Sequence, residues 1–458
     1  MAERLIISIS GMRGIVGENL TGSVAREYGC AFGTFLKGLG DDKDEKLPVC
    51  IGRDSRPSGE MFKLRVTEGL CSVGLDVIDL GLVTTPGVGI MIRELACAGG
   101  VVITASHNPA QYNGIKVLLG NGVAPPKDAA EQIRKCFLDK NFTFVDSSHY
   151  GRVTSNNKAD KTHIGKVLRI IDKEAIAAKK IKVVLDSVNG AGGPVAQKLL
   201  AELGCEVSAI NAQPTGQFTH APEPLAENLT ELCQAVKAEQ AEVGFAQDPD
   251  ADRLAIVDAN GTYIGEEYTL ALAAKYIFSK KSGKVATNLS TSRMIDDIAA
   301  EAGGEVLRTA VGEANVADAM IKNNCIIGGE GNGGVIDLRV GPIRDSLVAI
   351  ALVLQLMTES DKTTSQLTSE IIGYYMSKDK FTANQTDAQK ILDLAQRTFS
   401  DAKLDATDGC RFDFTDGWVH LRASNTEPVM RVIVEAKDKK TVQKYIEAVM
   451  KIRSKVLG

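Results

Sequence analysis

The segment VCIGRDSRPSG, residues 49–59, is an apolar run that closes on Asp54 and Ser55, and the same plan occurs twice more in the chain. KVVLDSVNGAGG (182–193) and KVATNLSTS (284–292) again end an apolar run in Asp or Asn, with a serine close behind. After each come a helix-length segment, a second apolar run, another helix-length segment and a third apolar run. This order predicts parallel strands joined by right-handed helical crossovers, and hence three related α/β domains.

Each third apolar run leads into an unusual polar loop: TASHNP (104–109), DPDADR (248–253) and GEGNGG (329–334). In open α/β sheets, ligands bind beyond the carboxyl ends of the strands. We therefore expect the three loops to converge on one cleft. An unrelated α/β chain could show similar runs, so the repeat alone leaves that alternative open.

The pattern changes from about Leu367. The segment 410–436 alternates apolar and polar residues around turn signals, which predicts antiparallel strands, and 439–456 has the pattern of a closing helix. The predicted fold class is thus α/β, with three related domains on mixed sheets and a C-terminal α+β domain. The predicted limits are 1–152, 153–258, 259–366 and 367–458.

The composition restricts the class of protein. Of the 458 residues, 44% are hydrophobic and 24% are charged, and the formal net charge is −5. An acidic chain lacks the basic face that nucleic acid requires, so we expect no nucleic-acid partner. The nine cysteines form no CxxC pair, which predicts reduced thiols. With no signal-peptide pattern and no apolar run long enough for a bilayer, we expect a cytoplasmic protein without a membrane partner.

The loop DPDADR carries Asp248, Asp250 and Asp252 at alternate positions. Three neighbouring carboxylates repel one another unless water or a cation separates them, and oxygen-only ligands favour Mg²⁺ or Ca²⁺. An EF-hand is excluded because Arg253 occupies its glycine position and Ala259 its closing glutamate position. The five histidines show no ligand spacing, which argues against zinc.

The other two cleft loops are polar in different ways. In TASHNP, Ser106 is either a nucleophile or part of an ordinary Asn-Pro turn, and no G-x-S-x-G elbow surrounds it. GEGNGG matches a dinucleotide fingerprint, but no helix pattern follows it, and Glu330 would repel a pyrophosphate. Glu330 and Asn332 are better suited to sugar hydroxyls.

A fourth loop lies in RASNTEPVMR, residues 422–431. Hydroxyls, an amide, turn N–H groups and a guanidinium can form a phosphate cradle, although a polar hairpin turn has the same composition. No P-loop sequence is present. A serine near a carboxylate-bound Mg²⁺, a second anion cradle and a hydroxyl-binding loop together suit the movement of phosphate between two positions of a sugar.

These motifs resemble the α-D-phosphohexomutase family over essentially the whole chain, in the same order. The resemblance implies a heart-shaped four-domain fold, one Mg²⁺ per chain, a phosphorylated Ser106, Lys116 of NGIK as an acid/base, and a hexose 1,6-bisphosphate that serves as intermediate and activator. The residues matched to the family are Ser106, His107, Lys116 and Arg13 as catalytic; Ser106, Asp248, Asp250 and Asp252 as metal ligands; and Arg253, Glu330, Asn332, Arg422, Ser424, Asn425, Thr426 and Arg431 as substrate-binding.

The sugar loop departs from the family pattern. Many members close this loop with a histidine, where this chain has Gly334, and Asn332 stands in a serine position. The GEGNGG form resembles archaeal-type phosphoglucosamine mutases, whereas Asn425 resembles phosphomannomutase/phosphoglucomutase members. We rank glucosamine phosphate first because Glu330 could meet its ammonium, with the phosphomannomutase/phosphoglucomutase reaction as the alternative.

Two further alternatives belong to other classes of protein, a Mg²⁺-dependent sugar phosphatase and a non-catalytic sugar-phosphate binding protein. The expected partners are small sugar phosphates, and the expected assembly is a monomer or homodimer.

Overall fold

The first sheet contains four adjacent parallel strands, with three antiparallel strands on one side of them. The structure, a computed structural model, describes residues 5–8, 11–39, 47–424 and 428–458. The strands of this sheet are β1 (Ile6–Ser8), β2 (Gly11–Ile15), β3 (Val49–Arg53), β4 (Val77–Leu82), β5 (Gly99–Ile103), β6 (Tyr112–Leu119) and β7 (Val153–Ser155), in the order β1-β2-β6-β5-β3-β4-β7. The helices of this region are α1 (Gly22–Leu39), α2 (Gly59–Ser72), α3 (Thr85–Glu94) and α4 (Lys127–Leu138).

The second and third sheets each have four strands. The second consists of β8 (Lys182–Asp186), β9 (Glu206–Ile210), β10 (Val243–Gln247) and β11 (Leu254–Asp258), with helices α5 (Ala159–Leu168), α6 (Lys173–Lys179), α7 (Gly192–Glu202) and α8 (Thr230–Glu239). The third consists of β12 (Lys284–Asn288), β13 (Glu305–Thr309), β14 (Ile327–Glu330) and β15 (Gly334–Ile336), with helices α9 (Glu267–Lys280), α10 (Met294–Glu301), α11 (Glu313–Asn323), α12 (Ser346–Ser360) and α13 (Thr364–Ser369).

The three sheets share one strand order, which confirms the predicted repeat. In each, the first strand (β3, β8 or β12) lies between the second and the third and is parallel to both. An antiparallel strand (β6, β11 or β15) then pairs with the third strand. The three loops that follow the third strands therefore leave equivalent positions at the carboxyl edges of their sheets.

The first-strand loops also begin alike. The side chain of Asp54, Asp186 or Asn288 accepts a hydrogen bond from the backbone N–H two residues later, at 2.8–2.9 Å. This Asx turn stops the strand and directs the chain toward the next helix. The Asp or Asn that marked each repeat in the sequence therefore has a structural role that all three units share.

The C-terminal domain is an antiparallel sheet with two helices. Its strands are β16 (Tyr375–Thr382), β17 (Lys403–Asp405), β18 (Cys410–Asp413), β19 (Gly417–Ala423) and β20 (Val429–Ala436), in the order β16-β20-β19-β18-β17, and its helices are α14 (Gln385–Thr398) and α15 (Lys439–Leu457). All of its strand pairings are antiparallel, as the alternating sequence predicts. In the described ranges no helix is both long and apolar enough to cross a membrane.

The domains are joined in two different ways. The second and third share one apolar cluster, in which α12 is almost wholly buried and packs on α9. The C-terminal domain has its own separate core. It meets the third domain through polar contacts: Arg293 donates to the carbonyls of Phe414 and Gly417, and Lys378 pairs with Glu266 and Glu267. This polar contact surface is called the 3–4 junction below.

The predicted domain limits remain predictions. The strand β7 pairs with β4, so the first sheet continues three residues beyond the limit drawn at 152. The second sheet ends with β11 at Asp258, next to the limit at 258, and the fourth sheet begins at Tyr375.

Candidate active site

The loops after β5 and β10 meet directly. The hydroxyl of Ser106 donates to Oδ2 of Asp248 at 2.9 Å, across the boundary between the first two domains. Both side chains are buried. The loops were predicted to converge from the strand order alone, and these two are in hydrogen-bond contact.

The aspartate loop has the geometry of a cation site. One oxygen from each of Asp248, Asp250 and Asp252 lies within 4.8 Å of the others, and all three side chains are buried. Oδ1 of Asp250 and Oδ1 of Asp252 are buried without a hydrogen-bond partner. Buried polar atoms in native proteins rarely lack a partner, so a group that satisfies both oxygens is expected here. A hard divalent cation fits this oxygen-only donor set.

The remaining oxygens of the trio are held by the protein. Oδ2 of Asp250 accepts from Thr85 at 2.6 Å and from Lys116 at 2.7 Å, while Oδ2 of Asp252 accepts from Arg344 at 2.6 Å. These two Oδ2 atoms are therefore fixed by donors. The Oδ1 atoms of the same two residues are left for a ligand.

The trio is strongly coupled electrostatically. Burial, followed by the charges of Asp250 and Asp252, raises the pKa of Asp248 well above its ordinary value. Burial alone would also raise the pKa of Asp250, but the Lys116 ammonium and the Thr85 hydroxyl outweigh it and lower that pKa. Lys116 thus stabilises the charged form of Asp250. The negative charge that remains around Asp248 would be offset by a bound cation.

The side chains of the first domain surround Ser106. Arg13 donates to Oδ1 of Asn108 at 2.6 Å. Nδ1 of His107 is 3.4 Å from Oγ of Ser106, and its Nε2 is 3.8 Å from Oε1 of Glu223. Burial, with the nearby charges of Arg253 and Arg13, lowers the pKa of His107 to about 2, so the ring is neutral at pH 7.

Arg253 joins the metal loop to the second domain. Its backbone N–H donates to Oδ1 of Asp248 at 3.1 Å, and its guanidinium Nη1 lies 3.7 Å from a carboxylate oxygen of Glu223. Glu223 is therefore within 4 Å of two predicted site residues, His107 and Arg253. It stands on the loop between β9 and α8, where the sequence offered no charge pattern to single it out.

The loop GEGNGG is the tight connection of the hairpin β14–β15. An antiparallel strand, and not a helix, follows this loop, so the loop does not have the structure of a dinucleotide-binding fingerprint. Glu330 is buried and fully engaged: its carboxylate accepts from Asn288 at 2.7 Å, from the Gly312 N–H at 3.1 Å and from Arg344 at 2.6 Å. Oδ1 of Asn332 is buried without a partner.

Only part of the predicted phosphate cradle lies in the described residues. Arg422 ends β19 and lies directly opposite Arg431 of β20, while the Ser424 N–H donates to the Val429 carbonyl. Nε of Arg422 is 2.7 Å from a carboxylate oxygen of Asp408. Like charges opposite each other destabilise a sheet, so the two arginines favour an anion between them. Asn425 and Thr426 lie outside the described residues.

Two buried arginines that connect the site were missed from the sequence. Arg344 bridges the metal and sugar loops, since one Nη contacts Asp252 and the other contacts Glu330, each at 2.6 Å. Arg56 donates to the backbone of the Ser106 loop. A signal for Arg56 existed: the equivalent positions of the other repeats hold Val188 and Ser290, so a cation in the first repeat is an exception. Arg344 lies in the segment after GEGNGG and offered no such signal.

Comparison with known proteins identifies all four domains. The chain matches the phosphoglucomutase/phosphomannomutase models for alpha/beta/alpha domain I over residues 4–144, domain II over 161–261, domain III over 266–375 and the C-terminal domain over 379–452.

Full-length relatives have two different names. A protein named phosphoglucomutase/phosphomannomutase from Thermococcus kodakarensis is 39% identical and covers 98% of both chains. A probable phosphoglucosamine mutase from Methanopyrus kandleri is 36% identical over 93% of both chains. The crystal structure of a phosphoglucomutase/phosphomannomutase family protein from Burkholderia thailandensis superposes with a TM-score of 0.86 at 28% identity, covering 98% of this chain and 97% of that one. The chain therefore belongs to the phosphoglucomutase/phosphomannomutase family, within the α-D-phosphohexomutase superfamily.

Proposed function

We propose that this enzyme interconverts the 6-phosphate and 1-phosphate of a hexose, with Ser106 as the phosphoryl carrier. The observation that carries the proposal is the 2.9 Å contact of the Ser106 hydroxyl with Asp248, beside two buried carboxylate oxygens that have no partner. A serine at this position is next to a site for a cation, as phosphoryl transfer requires. Membership in the phosphohexomutase superfamily supports the same reaction class.

Asp248, Asp250 and Asp252, with an oxygen of Ser106 or its phosphate, are the residues that would hold one Mg²⁺. The cation supplies positive charge that offsets the charge developing on the transferring phosphoryl oxygens. Lys116 and Arg344 hold the trio through Oδ2 of Asp250 and Oδ2 of Asp252. The protein thus fixes the ligand geometry before a cation binds.

In the proposed first step, the free hydroxyl of a bound sugar phosphate attacks the phosphorus on Ser106. The new oxygen–phosphorus bond forms as the bond to Oγ of Ser106 breaks. We propose Lys116 as the acid/base: its ammonium, held beside Asp250, gives a proton to the departing Oγ, and the amine that remains takes the proton of the attacking hydroxyl. The product is a hexose 1,6-bisphosphate. After the bisphosphate turns around in the cleft, its other phosphate returns to Ser106, and the isomeric monophosphate is released.

Arg13, His107 and Arg253 are proposed to contact the reacting phosphate, because they surround Ser106 and Asp248. Arg422, Ser424 and Arg431, with Asn425 and Thr426, are proposed to hold the phosphate that does not react. Two like charges on neighbouring strands support this role for the arginines. The substrate is thus held at both ends while one end reacts.

The choice between an amino sugar and a neutral sugar as substrate depends on whether Glu330 can contact the sugar. The preference for glucosamine phosphate assumed a carboxylate free to meet the ammonium, but Glu330 is paired with Arg344 and accepts two further hydrogen bonds. The unpartnered Oδ1 of Asn332 is a neutral acceptor suited to a hydroxyl. We therefore infer that the neutral glucose or mannose phosphates are turned over at least as well as glucosamine phosphate, which is the second candidate.

The test is turnover of glucose, mannose and glucosamine 6-phosphates, each primed with its own 1,6-bisphosphate, followed by the same assay on Glu330→Gln. A neutral sugar should have the highest kcat/KM in the unmodified enzyme, and the variant should lose similar factors on all three. A clear preference for glucosamine phosphate that Glu330→Gln removes would restore the ammonium contact and reverse the ranking.

The same assay distinguishes the other classes. Release of inorganic phosphate without the isomer would indicate a phosphatase, and tight binding without turnover would indicate a binding protein. Neither alternative accounts for the Ser106–Asp248 contact together with the pair of arginines Arg422 and Arg431. A cytoplasmic location and a monomeric or homodimeric state remain predictions.

A further inference from the structure

The buried guanidinium of Arg56 lies under the Ser106 loop. Its Nη2 donates to the carbonyls of Ser106 at 2.7 Å and Asn108 at 2.6 Å, and its Nη1 donates to those of Pro109 at 2.8 Å and Tyr112 at 3.0 Å. One side chain therefore binds four carbonyls within seven residues of chain. Arg56 is only 1% exposed, so water does not compete for these contacts.

Arg56 is itself held on every side. Its fifth donor, Nε–H, binds Oδ2 of Asp54 at 3.2 Å, and its backbone N–H binds Oδ1 of the same residue at 2.9 Å. Thr104, at the end of β5, donates to Oδ2 of Asp54 at 2.6 Å. The guanidinium also lies 4.9 Å from the ring centre of Phe218, which belongs to the second domain. All five N–H donors are thus used in one fixed orientation, which lysine with three donors cannot reproduce.

The loop requires such support because Ser106 is strained. Its φ is +50°, in the left-handed region that a residue with a Cβ adopts at a cost of about 1–3 kcal/mol. Such a conformation persists only where the surroundings determine it. Two contacts determine it here: the Ser106 N–H donates to the Thr104 hydroxyl at 2.9 Å, and the Ser106 carbonyl accepts from Arg56.

We propose that Arg56 is a positioning residue that holds Ser106 in its left-handed conformation, with Oγ directed at Asp248. The inference rests on the proposed function, since it assigns Arg56 a part in phosphoryl transfer through Ser106. Arg56 touches only the backbone of the loop, so its loss should slow transfer to and from Oγ without changing how the far end of the substrate is held. The expected signature is a fall in kcat with little change in KM.

Arg56→Lys is the first variant because it keeps the charge opposite Asp54. We expect kcat to fall by about 10²-fold, the cost of misplacing a reacting group by roughly 1 Å. Phosphorylation of Ser106 by glucose 1,6-bisphosphate, followed by intact mass, should slow by a similar factor. Added guanidinium chloride at low concentration should restore part of kcat in Arg56→Ala, because the ion can occupy the vacated position.

Arg93→Lys is the matched control. Arg93, on α3, also donates from Nη2 to a backbone carbonyl, but this carbonyl belongs to Val340 and not to the Ser106 loop. It should lower the melting temperature without the selective fall in kcat or any rescue by guanidinium. Equal effects of the two lysine variants on kcat and melting temperature would reduce Arg56 to a purely structural residue and overturn the proposal, as would an unchanged kcat in Arg56→Lys.

Asp54→Asn tests the same role with Arg56 in place. It weakens the oxygen that accepts from both Arg56 Nε–H and the Thr104 hydroxyl, and it leaves the four carbonyl contacts of Arg56 available. It therefore tests the proposal even if neither Arg56 variant folds. A smaller loss of kcat at constant KM supports the proposal, and a change in KM alone contradicts it. If the unmodified enzyme shows no mutase turnover and no phosphate on Ser106, the proposed function has failed rather than the role of Arg56.

Discussion

The two ends of the proposed substrate cleft are built differently. At the reacting end, Ser106 and the three aspartates are buried and each is held by several neighbours. At the anchoring end, Arg431 is exposed and Arg422 has Asp408 as its ion-pair partner. The reacting end is assembled from three domains, whereas the anchoring end belongs to a domain with its own core.

This difference matches two different physical requirements. Phosphoryl transfer needs a reacting atom fixed within a fraction of an ångström, which buried and saturated contacts provide. A mutase must also hold the remaining phosphate in two orientations of the sugar, which favours long, half-exposed arginines over a rigid pocket. Substitutions at the reacting end should therefore change kcat, and those at the anchoring end should change KM.

The largest effect is expected for Ser106→Ala, which removes the proposed phosphoryl carrier. Mutase activity should fall by at least about 10²-fold, as when a covalent participant is lost. The measurement is the initial rate together with intact mass after incubation with the bisphosphate. Phosphate found on a different residue of the active, unmodified enzyme would show that Ser106 is not the carrier, and the contrast between the two ends of the cleft would no longer hold.

Asp250→Asn should act next most strongly, because it removes a charge from the proposed Mg²⁺ site. The Mg²⁺ concentration for half-maximal rate should rise by at least about tenfold. Even the mutation of residues that only hydrogen-bond to metal ligands lowers metal affinity by about 10–100-fold. Asp258→Asn is the matched control: Asp258 is also buried, but it accepts from the N–H groups of Asn260 and Thr262. It should lower stability and leave metal dependence alone, and a metal response equal in both variants would count against the site.

Arg422→Ala should raise KM and leave kcat nearly unchanged. The lost charge-assisted contact is worth roughly 1.5–3 kcal/mol, or about 10- to 150-fold in KM. Arg397→Ala, on the exposed face of α14 in the same domain, controls for net charge and should have no effect. A fall in kcat equal to that at the reacting end would mean that the two ends do not divide the work as proposed.

The smallest expected effect on activity is at the 3–4 junction, where the expected change is in acid stability. His420 is buried, with Nε2 at 2.7 Å from the Asp408 carbonyl and Nδ1 at 3.0 Å from the Ser290 hydroxyl, and burial lowers its pKa to about 4. The folded state thus binds this proton more weakly than the unfolded chain, whose histidine has a pKa near 6.5. The contribution of neutral His420 to the free energy of unfolding is fully present above pH ~6.5. It is lost as the pH falls toward ~4, by about 3 kcal/mol in total.

The measurement is the melting temperature of the unmodified enzyme minus that of His420→Gln, from pH 7 to pH 4. The difference should shrink or reverse as the pH falls, whereas exposed His149→Gln should show no such trend. A constant difference over this range would remove His420 from the acid response.

The sequence predicted the architecture better than it predicted the contacts within the site. Apolar runs closed by Asp54, Asp186 and Asn288 were sufficient to find the three units, because strand burial and Asx turns depend on local sequence. The aspartate trio was also visible, since its carboxylates are adjacent in the chain. Glu330 was predicted to contact the sugar, and nothing local in the sequence showed that Arg344, fourteen residues away, would pair with it.

Arg56 could not be assigned for a related reason. Its role depends on four carbonyls, from Ser106 to Tyr112, that approach it only when β3 and β5 are neighbours in the sheet. The substrate sugar is hidden from the sequence in the same way, because it depends on which polar atoms remain unpaired after folding. Contacts that join distant segments require the fold, whereas patterns within one segment do not.

The polar 3–4 junction has a thermal consequence. Heat-capacity changes follow the apolar area exposed to water, and hydrogen-bonding groups contribute with the opposite sign. Separation of the C-terminal domain from the third domain uncovers groups such as the Arg293 guanidinium and the Phe414 and Gly417 carbonyls, which water can satisfy. The buried ring of Trp418, beside Arg411 and Glu435, contributes apolar area of the opposite sign. The enthalpy of opening should therefore vary less with temperature than that of unfolding. A van't Hoff plot of the ratio of open to closed enzyme should then be less curved than for domains that separate along a wholly apolar interface.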